Sequence, residues 1–371
     1  MRLLIVTQKI DEGDAVLGFM HSWLAEFAHQ TDSVIAVCLE KGKVSLPPNT
    51  KVFSLGKESG QSRLKYVWRF VRYIVQFRNQ YDAVFVHMNP EYIVLGGLFW
   101  KLWGKTVTLW YAHKSVTWHL RLAHFFTDIV FTSTESGFRL PSRKVKVVGQ
   151  GIDVNKFKIQ PARTYPSGTG GDSGYKNGEG KFRLVTVGRI TPSKDYDTMI
   201  DAVEKICQNS TIAFQVDIFG PTSVASDESY LKRLKEKIAQ KGLDKLIVFR
   251  GPITNASLPG VLQKYDLFVN MGHTGSLDKA VPEAMACGLP ILTCNEAFKA
   301  VLGPFTGDLM YPKGDSQALA GKIEGVVKLS VEERRALGVE LRAIVVRDHS
   351  LQNFVGKIIR AIKSFQNHER S

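Results

Sequence analysis

Short runs of consecutive Val, Ile and Leu residues recur along this chain and alternate with longer segments of helical pattern. The apolar residues are continuous, and not placed at every second position, which indicates strands that are buried on both faces. Such strands belong to parallel sheets covered by helices, because a parallel neighbour needs a crossover connection. In the first half we expect strands at 2–8, 33–39, 51–55, 82–87, 106–111, 128–132 and 144–148, and helices at 19–30, 62–80, 91–103 and 115–126.

The same alternation resumes after residue 181. We expect strands at 182–187, 212–219, 246–249, 265–270 and 290–294, and helices at 195–208, 229–240, 256–264, 281–287, 316–328, 331–347 and 351–365. A length of 371 residues suits two domains. The predicted fold class is therefore α/β, with two Rossmann-like, doubly wound parallel-sheet domains whose strand ends face each other across a cleft.

The segment 160–181 interrupts this alternation, because Gly, Ser, Pro and charged residues dominate it and apolar anchors are nearly absent. Such a composition indicates an exposed linker or a flexible loop. We expect the first domain at 1–160, the linker at 161–181 and the second domain at 182–349. The C-terminal helix, 350–366, is a candidate to pack back onto the first domain.

Composition narrows the class of protein. The four cysteines form no CxxC pair and no ligand spacing with His, which argues for reduced thiols in a cytoplasmic protein and against structural zinc. No signal peptide is visible at the start, and no apolar run reaches the ~20 residues of a membrane span. The net charge is +14, and residues 1–160 hold 21 Lys and Arg against 12 Asp and Glu. This excess of cations implies an anionic partner, which is a nucleotide phosphate, an acidic lipid surface or nucleic acid.

The stretch 270–295 is the most informative local pattern. A predicted strand runs into a Gly- and Ser-containing loop and then into a short helix, which we expect to open at Val281 and Pro282 and to end at Gly288. Loop N–H groups and a helix N-terminus would then meet at one spot, and such a spot attracts phosphate. Glu283 in the first turn either complements the helix dipole or accepts hydrogen bonds from vicinal sugar hydroxyls.

Two cations, Arg189 and Lys194, lie on the loop between the strand at 182–187 and the next helix. A loop of this kind lies at the carboxyl edge of a sheet, where both side chains can point at one ligand. A diphosphate is the matching ligand, because Arg can bind two oxygens and Lys adds a point charge. The alternative is a pair of solvated surface cations, which the phosphate-attracting loop near Glu283 makes the weaker interpretation.

The first half holds two further candidates. His113 follows the strand at 106–111 and is either a catalytic or substrate-binding residue or a structural histidine, whereas His87 fits a structural role better. The loop after the first strand is no GxGxxG fingerprint, but Gly13 and Gly18 allow the backbone to approach a ligand. Its carboxylates would repel phosphate, so they either face the hydroxyls of an acceptor or form an ordinary acidic loop; they are Asp11, Glu12 and Asp14.

Asp195 and Asp197 have the DxD spacing of some metal-dependent sugar transferases. They lie at a helix start after Ser193, where acidic residues cap a helix and complement its dipole. We therefore predict no metal site there and no cofactor elsewhere.

The segment 62–80 interleaves cations with aromatic residues. The cations are Arg63, Lys65, Arg69, Arg72 and Arg78, and the aromatic residues are Tyr66, Trp68, Phe70, Tyr73 and Phe77. One interpretation is a helix with a core face and a solvated basic face. The other is an amphipathic surface that docks on anionic lipid headgroups, with Trp100, Lys101 and Trp103 in the same patch. No nucleic-acid recognition module is legible, so nucleic acid is not an expected partner.

Four segments together resemble the retaining glycosyltransferases of family 4, which have the two-domain GT-B fold. They are VGQGIDVNKF (148–157), VGRITPSKDYDTMIDA (187–202), YDLFVNMG (265–272) and VPEAMACGLPILT (281–293). Their order and spacing cover most of the second domain. The first domain is similar only in its strand–helix rhythm, its glycine loop and His113.

The resemblance implies a nucleotide-sugar donor, a UDP- or GDP-hexose, and a glycan or lipid-linked acceptor presented at a membrane surface, with no metal. Arg189 and Lys194 would bind the diphosphate and stabilise the leaving group electrostatically. Glu283 would hold the ribose, and His113 would contact the sugar or the attacked centre. The other donor contacts that the resemblance implies are Gly13, Ile253, Ser276, Leu277, Asp278, Lys279 and Val281.

One departure from the family pattern concerns the donor sugar. The family usually has a second glutamate eight residues before Glu283, and this chain has Gly275 there. Asp278 can supply the displaced carboxylate and Lys279 an additional phosphate contact. The identity of the donor stays open, and so do two other functions: another GT-B enzyme, such as a nucleotide-sugar epimerase or a phosphorylase, or a non-catalytic protein that binds a membrane surface.

Overall fold

A computed structural model of the chain describes residues 1–159, 181–273 and 275–370. The predicted linker, apart from residue 181, lies outside these ranges. The chain divides into two compact units. The first comprises Met1–Asp153, Thr254–Ala256 and Asp348–Ser371, and the second comprises Val154–Ile253 and Ser257–Arg347. The chain thus passes from one unit to the other at 153/154, 253/254, 256/257 and 347/348, whereas the sequence predicts divisions only at 160–182 and after residue 349.

The first unit is built on a sheet of seven parallel strands. They are β1 (Arg2–Ile10), β2 (Ser33–Lys41), β3 (Thr50–Ser54), β4 (Ala83–His87), β5 (Thr106–Trp110), β6 (Ile129–Thr132) and β7 (Val145–Val147). Their order across the sheet is β3-β2-β1-β4-β5-β6-β7. Every residue of β4, β5 and β6 is buried, which confirms the expectation from their continuous apolar runs.

Helices cover both faces of this sheet. They are α1 (Phe19–Gln30), α2 (Arg63–Gln76), α3 (Glu91–Leu102), α4 (Trp118–Phe126) and the C-terminal α13 (Leu351–Arg370). α1 and α13 share one face, where the Trp23 indole donates to the Gly151 carbonyl at 2.8 Å and its ring centroid lies 4.2 Å from that of Phe354. α2, α3 and α4 share the opposite face. Within the described ranges, no helix is both long and apolar enough to cross a bilayer.

The second unit has a sheet of five parallel strands. They are β8 (Phe182–Val187), β9 (Phe214–Phe219), β10 (Ile247–Gly251), β11 (Leu267–Asn270) and β12 (Ile291–Thr293), in the order β10-β9-β8-β11-β12. Its helices are α5 (Tyr196–Asn209), α6 (Ala225–Gln240), α7 (Leu258–Leu262), α8 (Ala280–Ala286), α9 (Lys299–Leu302), α10 (Thr306–Leu309), α11 (Ser316–Lys328) and α12 (Val331–Ile344). Both sheets are thus parallel and helix-covered, as the alternation along the sequence predicts.

The helix predicted at 62–80 ends early, at Gln76. The Arg2 guanidinium donates to the Asn79 carbonyl at 2.9 Å and pairs with Asp82 at 2.6 Å. These long-range bonds hold the chain in an irregular conformation before β4, in place of a last helical turn. The helix predicted at 331–347 likewise ends as α12 and continues as a π-helical turn, Val345–His349.

Trp100 does not belong to the basic surface patch that the sequence suggests. Its side chain is 0 % exposed, and its indole N–H donates to the Tyr81 hydroxyl at 3.1 Å. Phe70 is also buried, whereas Trp68 is 58 % exposed. Residues four apart on a helix share a face, so Phe70 and Ile74 form the core face of α2 and Trp68 lies elsewhere. The interleaving along the sequence does not distinguish these two groups of aromatic residues.

Asp217 on β9 is the charged centre of the second sheet. Only 1 % of its side chain is exposed, and its carboxylate accepts from the Tyr265 hydroxyl at 2.6 Å and from Arg250 Nε at 2.9 Å. Arg183 lies 3.6 Å away. A buried carboxylate is stable only when it is paired and hydrogen-bonded in this way.

We expect Asp217→Ala to lower the free energy of unfolding by about 3 kcal/mol, because the substitution leaves a buried hydroxyl and two cations without their acceptor. This value is at the low end of the range for a broken buried ion pair, since the guanidinium groups of Arg183 and Arg250 both reach solvent. Denaturant titration of the purified chain measures it. Asp244→Ala, at an exposed position of the same unit, is the matched control and should stay within about 0.5 kcal/mol of wild type. Equal stabilities of the two variants would contradict the assigned role of Asp217.

Candidate functional site

The second sheet has a topological switch point at β8. Its neighbour on one side is β9, the next strand along the chain, and its neighbour on the other side is β11. In open parallel sheets the crossovers diverge at such a point and leave a crevice at the carboxyl ends of the strands, where ligands bind. The loops that border this crevice follow β8, at residues 188–195, and β11, at residues 271–273 and 275–279.

A salt bridge joins these two loops. Lys194 ends a short 3-10 turn, Pro192–Lys194, and its side chain extends past Gly188 until Nζ contacts Asp278 Oδ2. Asn270 Nδ2 donates to the same carboxylate oxygen at 2.9 Å. The side chains of Lys194 and Asp278 are 16 % and 13 % exposed. The pair is therefore largely shielded from water, which strengthens its attraction relative to a surface pair.

The ends of two adjacent strands support this pair. Asn270 and Thr293 are the last residues of β11 and β12 and lie opposite each other in the sheet register. Thr293 Oγ1 donates to Asn270 Oδ1 at 2.9 Å, and the Tyr311 hydroxyl donates to the Asn270 carbonyl at 3.0 Å. The Asn270 amide is thereby fixed with its Nδ2 toward Asp278. The sequence-based prediction missed this network, although polar residues at the ends of two consecutive apolar strands are a signal that could have revealed it.

Tyr196 supports the loop after β8 through a hydrogen bond. This residue is 1 % exposed, and its hydroxyl donates to the Gly188 carbonyl at 3.0 Å. Burial, together with the negative charge of Asp278, raises the pKa of the Tyr196 phenol above its ordinary value. The phenol therefore stays protonated and remains a hydrogen-bond donor to the loop at physiological pH.

The two predicted cations differ in their surroundings. The Arg189 side chain is exposed and makes no hydrogen bond or ion pair with any residue in the described ranges. Lys194 is paired with Asp278, so its charge is largely neutralised within the protein. Both contacts of Asp278 fall on Oδ2, and Oδ1 makes no hydrogen bond to the described residues. The crevice thus presents one unpaired guanidinium beside an ammonium and a carboxylate that compensate each other.

The loop after β11 explains the departure at Gly275. This residue has φ +74°, a left-handed conformation that glycine adopts freely and a glutamate would adopt only with strain. The Ser276 carbonyl accepts from Asn295 Nδ2 at 2.8 Å, which anchors the loop to the segment just after β12. Leu277 and Val281 are 4 % and 0 % exposed, so these two residues can meet a ligand only through their backbone.

The short helix after this loop begins one residue earlier than predicted. α8 starts at Ala280, so Pro282 occupies the third helical position, where a missing N–H is still tolerated because the first turn has no intrahelical acceptors. Lys279 precedes the helix as its N-cap residue. Gly288 has φ +71°, which agrees with its predicted role as the stop. Glu283 is only 4 % exposed, so it is a buried carboxylate and not a surface residue of the first turn.

Ile253 lies two residues beyond β10, at the same carboxyl edge of the sheet and two strands away from β8. The structure therefore brings Lys194 and Asp278 into contact and places Arg189 on the same loop as Lys194. Ile253 follows a different strand. The remaining predicted contacts of the second unit follow β11 or lie in α8; they are Ser276, Leu277, Lys279, Val281 and Glu283.

Gly13 belongs to the first unit, on the loop that follows β1. The carboxylates of this loop are engaged within the unit: Lys9 lies 2.9 Å from Asp14 and 3.7 Å from Asp11, and Lys43 lies 2.7 Å from Glu12. Burial by itself would raise the pKa of the Asp14 carboxyl, but hydrogen bonds from Leu17, Lys9 and Val16 outweigh it and hold that pKa below its usual value. These contacts favour the interpretation of an ordinary acidic loop.

His113 follows β5 and is half-buried. Its Nδ1 accepts from the Ser115 N–H at 3.1 Å, which is possible only when the ring proton of the neutral imidazole is on Nε2. His87, in contrast, is 4 % exposed, with Nδ1 3.2 Å from Thr7 Oγ1 and its ring stacked on Trp110. His87 is thus a core residue.

Asp197 of the DxD pair faces α6. Its carboxylate accepts from Arg233 at 2.7 and 2.9 Å and from Lys237 at 3.2 Å, which ties α5 to α6. Asp195 accepts from the Thr198 hydroxyl at 2.7 Å, at the start of α5. Each carboxylate of the pair therefore has a structural partner.

Residues 173–342 match the model of the family described as Glycosyl transferases group 1. A mannosylfructose-phosphate synthase from Agrobacterium fabrum is 28 % identical over 113 residues, which cover 30 % of this chain and 25 % of that protein. The chain thus aligns with a quarter of the relative's length.

Solved structures resemble the whole chain. Anabaena Alr3699/HepE in complex with UDP and glucose gives a TM-score of 0.75 at 17 % identity, covering 98 % of this chain and 100 % of that one. Sucrose-phosphate synthase from Thermosynechococcus elongatus gives 0.78 at 14 % identity, covering 99 % and 100 %. At such identities the likeness establishes the fold. The chain has the GT-B glycosyltransferase fold, and residues 173–342 of it match the glycosyl transferases of group 1.

Proposed function

We propose that the protein is a retaining, metal-independent glycosyltransferase that moves a hexose from a UDP- or GDP-sugar to a glycan or a lipid-linked saccharide. The observation that carries the proposal is the meeting of Lys194 and Asp278 across the switch point of the second sheet, with the unpaired Arg189 on the same loop. A fixed cluster of this kind suits an anion with an attached polyol, which is the chemistry of a nucleotide-sugar.

The donor is inferred from the site and from its relatives. The Anabaena protein has been crystallised with UDP and with UDP-glucose, which supports a UDP-linked sugar here. GDP remains part of the proposal, because none of the contacts described above selects between the two bases. Ile253 would flank the base through its backbone, and Glu283 would accept hydrogen bonds from the two ribose hydroxyls.

Transfer breaks the bond between the anomeric carbon and the diphosphate oxygen, and the electron pair leaves with the diphosphate. The acceptor hydroxyl oxygen forms the new bond to that carbon, and its proton passes to the departing diphosphate oxygen. Negative charge therefore grows on the leaving diphosphate, where Arg189 and Lys194 would stabilise it. Lys194 retains two N–H donors beyond its bond to Asp278, because an ammonium has three.

Asp278 would bind the hydroxyls of the donor sugar in place of the glutamate that Gly275 replaces. Its Oδ2 is occupied by Lys194 and Asn270, whereas Oδ1 remains as an acceptor. Ser276 and Lys279 would add backbone and phosphate contacts, and the backbone of Leu277 and Val281 would line the loop. From the first unit, Gly13 would contact the diphosphate through its backbone. His113, with its proton on Nε2, would donate to the sugar or to a group at the attacked centre.

The test is an incubation of the full chain with UDP-, GDP- and ADP-sugars, an added oligosaccharide acceptor and no divalent cation. Release of nucleoside diphosphate that depends on the acceptor supports transfer, and NMR of the product should show that the anomeric configuration is retained. If the folded protein releases no nucleoside diphosphate with any of these donors, the proposal is contradicted. Interconversion of the donor without an acceptor would assign an epimerase, and a requirement for orthophosphate would assign a phosphorylase.

A further inference from the structure

The outer faces of α2, α3 and α4, which we name the α2–α4 surface, carry a concentration of exposed apolar side chains. In the described part of the chain, fourteen large hydrophobic residues are exposed, and nine of them lie on these three helices. They are Leu64, Val67 and Trp68 on α2, Leu95, Leu98 and Leu102 on α3, and Trp118, Leu122 and Phe125 on α4. Single exposed hydrophobic residues are normal, but a contiguous group indicates an interaction site.

The three helices are neighbours in one layer. The ring centroids of Phe70 on α2 and Tyr92 on α3 lie 5.3 Å apart, and a Cβ at Gly97 of α3 would lie 2.7 Å from Cβ of Phe126 on α4. The exposed residues of α3 and of α4 recur at spacings of three and four, so each helix presents one outward apolar face. The apolar side chains therefore form one surface and not isolated exposures.

The same surface is basic. Together the three helices contain six Lys and Arg residues and a single carboxylate, Glu91. Five of these cations make no ion pair with any residue that the structure describes, and of the five only Arg69 makes a side-chain hydrogen bond, to the Leu55 carbonyl at 3.1 Å; the other four are Arg63, Lys65, Arg72 and Arg121. Lys101 pairs with Asp128, and the Arg72 guanidinium lies 5.3 Å from the centre of the exposed Trp68 ring. Cations thus flank the apolar residues without internal neutralisation.

This combination selects among partners. A second copy of the chain would bring two surfaces of the same positive sign together, which like-charge repulsion opposes. Nucleic acid would satisfy the cations but would leave the leucines on α3 and α4 without an apolar environment. The interface of a lipid leaflet offers both, because acidic headgroups attract Lys and Arg while Leu, Trp and Phe enter the boundary of the acyl chains.

We propose that the α2–α4 surface docks the protein on a membrane leaflet that contains anionic phospholipid. The inference does not rest on the proposed function, since docking involves no donor and no residue of the candidate site. The basic face of α2 is thus one part of a larger surface, whose apolar part comes mainly from α3 and α4.

The test is co-sedimentation of the full chain, without donor, with vesicles of phosphatidylcholine alone or mixed with phosphatidylglycerol. We expect partitioning at least about tenfold stronger onto the anionic vesicles, since each cation near an acidic surface contributes about fivefold. At about 1 M NaCl the difference should largely disappear, because the screening length falls to ~3 Å. Circular dichroism verifies that each variant is folded.

Two triple variants separate the apolar and the charged contributions. Leu64→Ser, Leu98→Ser and Phe125→Ser together, or Arg63→Gln, Lys65→Gln and Arg72→Gln together, should each lower binding to anionic vesicles by about tenfold or more. The matched controls lie on the second unit at exposed positions: Val224→Ser with Val339→Ser, and Lys235→Gln, Lys245→Gln and Lys264→Gln together. Both controls should bind as wild type does.

Several results would overturn the inference. They are equal binding to both kinds of vesicle, no vesicle binding, wild-type binding by both triple variants, or equal losses in the controls. A dimer in light scattering that the apolar triple variant dissociates would assign the surface to a second copy. Binding of an oligonucleotide without vesicle binding would assign it to nucleic acid. None of these outcomes affects nucleotide release, so failure of the docking inference is distinguishable from failure of the proposed function.

Discussion

Lys194→Ala is expected to lower kcat/KM for transfer by about 100- to 1000-fold, the range observed when one preorganised donor to a developing negative charge is removed. The loss should be larger than for Arg189→Ala, for which we expect about 2 kcal/mol of donor binding or catalysis. The reason is Asp278. Without the ammonium, its partly buried carboxylate remains near the diphosphate and repels it. Steady-state kinetics with the donor identified by the panel measures both effects.

A double variant isolates the contribution of Asp278. If repulsion by its carboxylate enlarges the loss, Lys194→Ala combined with Asp278→Asn should recover about tenfold of the activity lost by Lys194→Ala alone. Lys245→Ala, at an exposed lysine of the same unit, serves as the control and should retain wild-type kinetics. Wild-type activity of Lys194→Ala would remove the assignment of the site. Asparagine keeps an oxygen that can accept from the sugar hydroxyls, so a double variant weaker than the single variant would show that repulsion of the diphosphate by Asp278 does not enlarge the loss.

Glu283→Gln is expected to weaken donor binding by at least about 2 kcal/mol, or roughly 30-fold in Kd. The carboxylate is 4 % exposed, and a hydrogen bond to a charged acceptor is stronger in such a desolvated position than in water. Glutamine keeps the shape of the side chain, so the loss reports on charge and not on a cavity. Calorimetric titration with the nucleoside diphosphate measures the binding, and thermal denaturation of the same variant reports its stability.

A second ligand makes this prediction specific to the ribose. A nucleoside diphosphate that lacks the 2′- and 3′-hydroxyls should bind wild type about as weakly as the intact nucleotide binds Glu283→Gln. The variant should no longer distinguish the two ligands. If Glu283→Gln still prefers the intact nucleotide by the wild-type factor, Glu283 does not bind the ribose, and a structural role within α8 accounts for its burial.

The sequence predicted the fold well because continuous apolar runs report directly on burial. The strands β4, β8 and β11 each coincide with such a run, and their boundaries agree with the predicted ones within two residues. The predicted ends of helices are wrong where a long-range hydrogen bond, and not the local residue preference, ends the element. Arg2, remote in sequence, ends α2 through the Asn79 carbonyl, and no pattern within 62–80 reports that contact.

The sequence indicates candidate site residues but not the contacts between them. Arg189, Lys194 and Glu283 are candidates because of their positions after strands and at a helix start, and their roles stay predictions. The bond between Lys194 and Asp278 joins residues 84 apart in the sequence, so only the fold reveals that they compensate each other. The burial of Glu283 and the support from Asn270 and Thr293 were missed for the same reason, since both depend on how neighbouring strands end together.

Gly275 and Asp278 together explain how the loop lacks the usual glutamate of the family pattern. The left-handed backbone at Gly275 excludes a glutamate without strain, and the nearest carboxylate of the loop is the one bound to Lys194 and Asn270. The same carboxylate can therefore hold the cation in the absence of donor and meet the sugar in its presence. This coupling is a property of the local loop geometry that the residue types alone do not convey.

The central claim is that the donor binds at the switch point of the second sheet, between the loops after β8 and β11. Amide hydrogen exchange of the full chain with and without the nucleoside diphosphate tests it most directly, because it reports on every segment at once. We expect slower exchange in peptides that cover residues 188–195 and 275–284, with little change at the exposed helix α6 of the same unit. Binding of the nucleotide without protection of either loop would contradict the claim.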